Sequence, residues 1–163
     1  MAAPNPGPTL QGQVVRVSDG DTVTLQTQDS TIKIRLAGID APETKMAYGA
    51  TARAYLADLV LDKEVIAITR KKDRYGRTVA TLMLGEKDVN LAMVQAGMAW
   101  HYKQYAREQT EAQAVSYAQS EIVARDQGHG LWQHEKPMPP WEWRHTTRAT
   151  AIVSITPLNQ SQP

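Results

Sequence analysis

Between Thr31 and Ala37 apolar and charged residues alternate: Ile32, Ile34 and Leu36 share one face, and Lys33 and Arg35 share the other. Successive side chains of a pleated backbone point to opposite sides, so this spacing predicts a strand with one buried face. It also turns Arg35 away from the Ile/Leu face. Other segments read as short strands too: Gln13 to Val17, Thr22 to Thr27 with Val23 and Leu25 on one side, Glu64 to Thr69, and Thr78 to Leu84. Turn chemistry separates them at Asp19-Gly20-Asp21-Thr22, at Gln28-Asp29-Ser30 and at the basic stretch before Thr78. Pro42 ends the third strand region.

Helical segments follow the strands. Tyr48 to Leu61 is Ala/Leu-rich, and Asp88 to Ala96 ends at Gly97, a residue suited to a C-cap. Glu108 to Asp126 predicts a long helix with Ala112, Val115, Ile122 and Val123 on its buried side, stopped by Gly128 and Gly130. Pro137, Pro139 and Pro140 are expected to end regular structure. His145 to Pro163 then reads as a loosely held tail, with Ile152 to Ile155 as a short edge strand. Three strands, a helix, two strands and two helices imply an α+β fold around a small barrel. The expected organisation is a flexible segment 1–10, one domain over 11–136 and a Pro/Trp-containing extension, 137–163.

Composition narrows the function classes. With no cysteine among 163 residues, disulfides, zinc–thiolate sites and cysteine nucleophiles are excluded. No apolar run is long enough to span a bilayer, so no membrane partner is expected. The start, Met1-Ala-Ala-Pro-Asn-Pro-Gly-Pro, lacks the charged and apolar regions of a signal peptide and reads as the stub left after one is removed. A secreted or periplasmic location is the corresponding expectation, and nothing demands more than a monomer. The formal net charge is only +1, so bulk charge does not announce a nucleic-acid partner. Arg70, Lys71, Lys72, Arg74 and Arg77 do cluster, with Asp73 against them; taken alone they read as a solvated turn.

Three segments carry chemistry jointly: Asp19-Gly20-Asp21-Thr22, Arg35 to Thr44 with Asp40-Ala41-Pro42-Glu43 inside it, and Asp73-Arg74-Tyr75-Gly76-Arg77. Each alone is usually a turn or a loop. Together they supply what phosphodiester hydrolysis needs. Asp21 and Asp40 are hard oxygen ligands for a divalent cation such as Ca²⁺ or Mg²⁺. Glu43 is a carboxylate that can orient or deprotonate an attacking water. Arg35 and Arg77 offer planar two-point donors to phosphate oxygens, worth on the order of a hundredfold in rate or more per donor.

In this order and spacing the three segments resemble the staphylococcal nuclease-like (thermonuclease) family. The resemblance covers about Gln11 to Trp132 and includes Gly97 and Gly130-Leu131-Trp132. It implies a five-stranded OB-fold β-barrel with three α-helices. It also implies a calcium-dependent nuclease cutting single-stranded or unwound DNA and RNA to leave 3′-phosphate ends. By the same resemblance Asp21 and Asp40 are the carboxylate metal ligands, Ala41 gives a backbone carbonyl, and Asp19 acts through water in the outer shell. Arg35 and Arg77 bind the phosphate in the transition state, and Glu43 handles the water, as general base or as positioning group. Arg74 and Tyr75 match positions that touch phosphate and sugar, and Tyr102 and Tyr105 are the candidates for stacking on a base. The stretch between Glu43 and the Tyr48 helix is short for the family. The rival reading is a catalytically silent binding module of the same fold. Such modules lose part of the Asp21, Arg35, Asp40, Glu43 and Arg77 set, and all five are present here.

Outside these segments the expectations are structural. His101, His129, His134 and His145 lack a metal-ligand pattern and read as surface or packing residues. Trp132 pins the last helix, Met83, Met93 and Met98 fill core gaps, and Trp141 and Trp143 either pack back on the barrel or meet a partner.

Overall fold

The computed structural model describes residues 7–155, with side chains as far as Thr147. It opens with an antiparallel meander of β1 (Thr9–Asp19), β2 (Thr22–Gln26) and β3 (Thr31–Leu36). The first strand is longer than the expected Gln13 to Val17, because its early half pairs with a later strand while its late half pairs with β2. Thr9 and Leu10 therefore belong to the sheet; Met1 to Pro6 of the expected flexible segment lie outside the described residues. β1 carries a register shift between Val14 and Arg16. One extra residue there lets Val14 and Val17, three apart, both reach the core while Val15 stays exposed.

After a turn at Gly38 (φ 78°) comes the two-residue strand β4 (Ile39–Asp40). A coiled loop then leads into α1 (Gly49–Val60), whose Ala52, Leu56 and Val60 recur every four residues on the buried face. β5 (Glu64–Lys72) and β6 (Thr78–Leu84) form a hairpin across the basic turn. β5 pairs antiparallel with β1, and β6 runs parallel to β3 through Ile34–Thr78, Arg35–Val79 and Leu36–Ala80. That last pairing closes β1, β2, β3, β6 and β5 into a barrel and removes its free edges. Leu25, Ile34, Leu36, Ala67 and Leu82 fill the barrel, and α1 packs Leu56 and Val60 against it. This is the expected α+β, OB-type architecture.

The chain continues through β7 (Lys87–Asp88), α2 (Val89–Gln95) and β8 (Trp100–His101), which pairs with β4. Asp88 caps α2 by accepting the Leu91 N–H, and Asn90, fully buried, donates to the carbonyls of Ala37 and Ala80. A tight 3-10 turn over Lys103–Glu108 precedes α3 (Glu111–Asp126). The helix starts later than the expected Glu108 because Thr110 and Gln113 form a reciprocal capping box.

The buried face of α3 differs from the expected one. Tyr117, Glu121 and Ala124 face inward, while Val115, Ile122 and Val123 are more than half exposed and Ala112 is exposed as well. Polar contacts decide the rotation. The Tyr117 hydroxyl donates to Asp88, and Glu121 accepts the His101 N–H.

The prolines interrupt regular structure without ending it. After a second 3-10 turn, Gly130–Gln133, helix α4 (Pro140–Ile155) begins at a proline. A first-turn residue needs no N–H partner, and the Pro139 carbonyl accepts from Glu142 and Trp143. The segment read as tail with an Ile152–Ile155 strand is thus helical up to Ile155; 156–163 lie outside the described residues. Trp141 packs back on the body, edge-on to Trp100 at 5.2 Å. Trp132 packs on Trp100 as well, at 4.5 Å. His101 is buried, and His129, His134 and His145 are exposed. Met93 is fully buried, and Met98 packs at the core margin. No described helix is long and apolar enough to cross a membrane.

Candidate active site

The β1–β2 turn, the β3–β4 region and the β5–β6 turn converge on one cleft of about 360 Å³. Its walls include Asp19, Asp21, Arg35, Asp40, Ala41, Glu43, Arg74, Tyr75, Arg77 and Tyr105, together with Ile39 and Arg144. Of the expected site residues, Tyr102 alone is not on that wall.

The acidic side is built by close backbone packing. Gly20 lets the β1–β2 turn approach Ala41 and α1, since a Cβ there would lie 2.8 Å from the Cβ atoms of Ala41 and Ala52. Asp21 is buried; its Oδ2 accepts the Ala41 N–H (2.8 Å), its Oδ1 the Thr22 hydroxyl (3.1 Å). Asp19 accepts the Asp21 N–H at 3.0 Å. Burial, followed by the nearby Asp19 and Asp40 charges, pushes the Asp21 carboxyl well above the ordinary carboxylate range. Asp40 is raised by burial too, against the opposing effect of Arg144.

Such crowding of buried carboxylates is a demand for positive charge. The donor set fits a hard divalent cation: Asp21 and Asp40 carboxylates, with Ala41 in the same wall. No group of three or more His, Cys, Asp or Glu side chains forms a metal cluster among the described residues. Water would have to complete the shell.

Glu43 sits on the loop between β4 and α1. The loop coils tightly: Met46 N–H donates to the Glu43 carbonyl at 2.8 Å, and Gly49 N–H to the Met46 carbonyl at 3.0 Å. Gly49 makes this possible, because a Cβ there would lie 2.0 Å from the Glu43 carbonyl oxygen.

The basic side is organised by carboxylates. Asp73 Oδ1 accepts the N–H groups of Tyr75 and Arg77, both at 2.9 Å, and Oδ2 takes the Arg77 Nε–H at 2.7 Å. Burial raises the Asp73 carboxyl, but these hydrogen bonds outweigh it and hold it below its ordinary range. Arg35 is buried and pairs with Glu108 through Nη2, with Asp73 3.9 Å from its Nε. Its guanidinium lies over the Tyr105 ring, 4.2 Å from the centroid. Glu108 also accepts the Gly38 N–H at 3.2 Å. The terminal nitrogens of Arg77 have no hydrogen-bond partner among the described residues and remain available to an anion.

Three participants were not legible as such. In the sequence Asp73 reads only as a counter-charge, Glu108 as the first residue of a helix, and Arg144 as part of the Pro/Trp-containing extension 137–163. Arg144 makes a two-point contact with Asp40, at 2.7 and 3.2 Å, and reaches Glu43 at 2.9 Å. Burial works against the Arg144 charge, yet Asp40 and then Glu43 hold its pKa above the ordinary value. Pro140 with an acidic Glu142 in the first turn is the signal of a helix start that could have found it. Tyr102 lies outside the wall and Trp141 stacks on it, with ring centroids 4.5 Å apart and planes 17° apart.

Residues 33–134 match the family described as staphylococcal nuclease homologue. The chain is 44% identical over 133 residues to an uncharacterized endonuclease of Haemophilus influenzae, covering 81% of this chain and 71% of that one. It is 40% identical over 148 residues to a micrococcal nuclease of Shigella flexneri, covering 85% and 83%. A staphylococcal-like nuclease of Arabidopsis thaliana is 39% identical over 116 residues, 71% of this chain and 34% of that protein.

Proposed function

Because the chain belongs to the staphylococcal nuclease homologue family and is a nuclease of the phosphodiesterase class, we propose that it hydrolyses DNA and RNA with calcium, by in-line attack of water, leaving 3′-phosphate ends. The observation that carries this reading is the meeting of Asp21, Asp40, Glu43, Arg35 and Arg77 in one cleft.

In the proposed reaction the phosphate lies between the arginines. Arg77 offers its terminal nitrogens, and Arg35 arrives already oriented by Glu108, Asp73 and Tyr105. Fixed donors of this kind need no reorganisation as charge develops on the phosphoryl oxygens. Glu43 holds the attacking water and takes its proton as the water oxygen bonds to phosphorus; the bond from phosphorus to the 5′ oxygen breaks, and that oxygen leaves as a hydroxyl after taking a proton from solvent. Asp21, Asp40 and the Ala41 carbonyl would hold calcium, which would supply positive charge to offset the negative charge of the phosphate. Tyr75, 65% exposed at the hairpin tip, and Arg74 flank the cleft and meet sugar and phosphate. An unpaired strand suits these contacts, since its phosphate can enter the cleft while its bases remain free to stack. We take the active form to be a monomer. Two carboxylates make a weak calcium site, which suits a protein released to the periplasm or exterior, where affinities of about 10⁻⁴–10⁻³ M suffice.

A gel assay on single-stranded DNA and RNA tests the reading. Cleavage is expected with calcium and is lost with chelator. Glu43→Gln and Arg77→Ala are each expected to lower it by about a hundredfold or more. Binding that ignores chelator and yields no cleavage would instead identify a silent module.

A further inference from the structure

Helix α4 lies beyond the segment that matches the family model, yet it reaches into the cleft. Arg144 enters it, and Trp141, three residues earlier and so on the same helical face, covers Tyr102 just outside the cleft wall. Arg144 engages both oxygens of Asp40 and one oxygen of Glu43, a carboxylate of the proposed cation site and the carboxylate assigned to the water. Trp141 lies parallel to the ring of Tyr102, as a nucleobase would.

We propose that α4 is an intramolecular stopper, with Arg144 standing in for a divalent cation and Trp141 for a nucleobase, so that calcium and a nucleic-acid strand bind only when α4 lifts away. This rests on the calcium-dependent reading above.

The charge geometry makes the two states exclusive. A calcium ion bound by Asp40 would sit about 2.3–2.6 Å from its oxygens. The guanidinium nitrogens already stand 2.7 and 3.2 Å from those oxygens. Two like charges that close repel strongly at a site shielded from water. Glu43, while it bonds to Arg144, is also engaged away from a water.

Edge-on packing of Trp141 on Trp100 adds to the Arg144 and Tyr102 contacts. Among the described residues α4 contributes no side chain to the main hydrophobic core. Trp143 borders a second cleft of about 300 Å³, beside Tyr48 and His134, so the helix is incompletely packed on that side. Pro137 and Pro139 precede it and keep the connecting chain out of either regular structure.

Calorimetric titration of calcium into the full-length protein and its Arg144→Gln variant is the test. A segment docked about nine-tenths of the time weakens apparent affinity about tenfold, so Arg144→Gln is expected to tighten calcium binding by about that factor. Trp141→Ala is expected to tighten binding of a single-stranded oligothymidylate, followed by anisotropy. In the wild-type protein, amide exchange over 141–147 is expected to quicken when calcium is added; this measurement does not depend on a variant folding. Equal or weaker calcium affinity in Arg144→Gln, or exchange unchanged by calcium, would overturn the stopper and leave the calcium-dependent reading intact. No calcium binding in either protein would overturn both.

Discussion

Burial of the carboxylates Asp21 and Asp40 at the cleft works against their charged forms. Asp21 is buried beside Asp19 and Asp40, and its carboxyl is raised well above the usual 3.8, first by burial and then by those neighbours. Below the unfolded-state value both folded and unfolded chains carry the proton, and no penalty exists. Above it the unfolded chain releases the proton while the buried carboxyl retains it, so the native state loses stability until the pH passes the folded-state value. In chelator at pH 7, Asp21→Asn is therefore expected to raise Tm by about 2–4 °C, the shift that about 1 kcal/mol produces in a domain of this size. The wild-type decline between acid and neutral pH should be smaller in the variant. Thermal melts across pH check both, and a variant less stable at pH 7 would mean that Asp21 is compensated by its hydrogen bonds to Ala41 and Thr22. Asp73 is the opposite case. Its hydrogen bonds hold it below the ordinary carboxylate range, so its contribution is present above the unfolded value and is lost as pH falls through the folded one.

Elements place these residues through close backbone approach and through choice of face. The Glu43 loop lies against the first residue of α1, and only glycine leaves room there: the missing Cβ would sit 2.0 Å from the Glu43 carbonyl oxygen. Backbone cannot yield as a flexible side-chain tip does, so Gly49→Ala should displace the loop. Turnover is expected to fall at least about tenfold, as misplacing a reacting group by about 1 Å can cost more. Steady-state kinetics beside a thermal melt check this. Unchanged turnover would show that the loop re-forms around the added methyl. The face of α3 teaches a related lesson. Its most apolar residues, Val115, Ile122 and Val123, would form the natural buried stripe, but they lie outward. The Tyr117–Asp88 and Glu121–His101 hydrogen bonds rotate the helix to a less apolar face. Leaving those buried groups unpaired would cost about 1–3 kcal/mol each, comparable with what a buried side chain contributes.

Across the whole molecule, a nearly neutral chain builds a locally basic cleft wall by folding. The formal net charge is +1, but Arg35, Arg74 and Arg77 line the same cleft. Binding of a single strand there should depend on salt through the phosphates these arginines neutralise. With three contacts the slope of log K against log salt is expected near about −2, and Arg74→Gln should make it shallower by about 0.7. Anisotropy of a labelled oligonucleotide over a potassium chloride series, in chelator, measures it. An unchanged slope in the variant would place Arg74 outside the phosphate path.

Local pattern determined much of this protein. Alternation along Thr31 to Ala37 announces a strand with Arg35 turned from the Ile/Leu face; β3 is that strand, but Arg35 is buried as well, against Glu108 and Tyr105, so the end of the strand is covered on both sides. The three motif segments named nearly all of the cleft, because side chains able to bind phosphate or a hard cation are few in kind and were concentrated in turns. Tertiary structure alone decided what depends on distant partners. The parallel β3–β6 pairing closes the barrel and brings the Arg77 turn to Arg35. Glu108, rather than some other acid, became the partner of Arg35, and Arg144 reached Asp40 from the C-terminal extension. Periodicity reports only which way neighbouring side chains point. Which buried charge meets which, across seventy or a hundred residues of chain, is set by closure and packing, and these have no local signature.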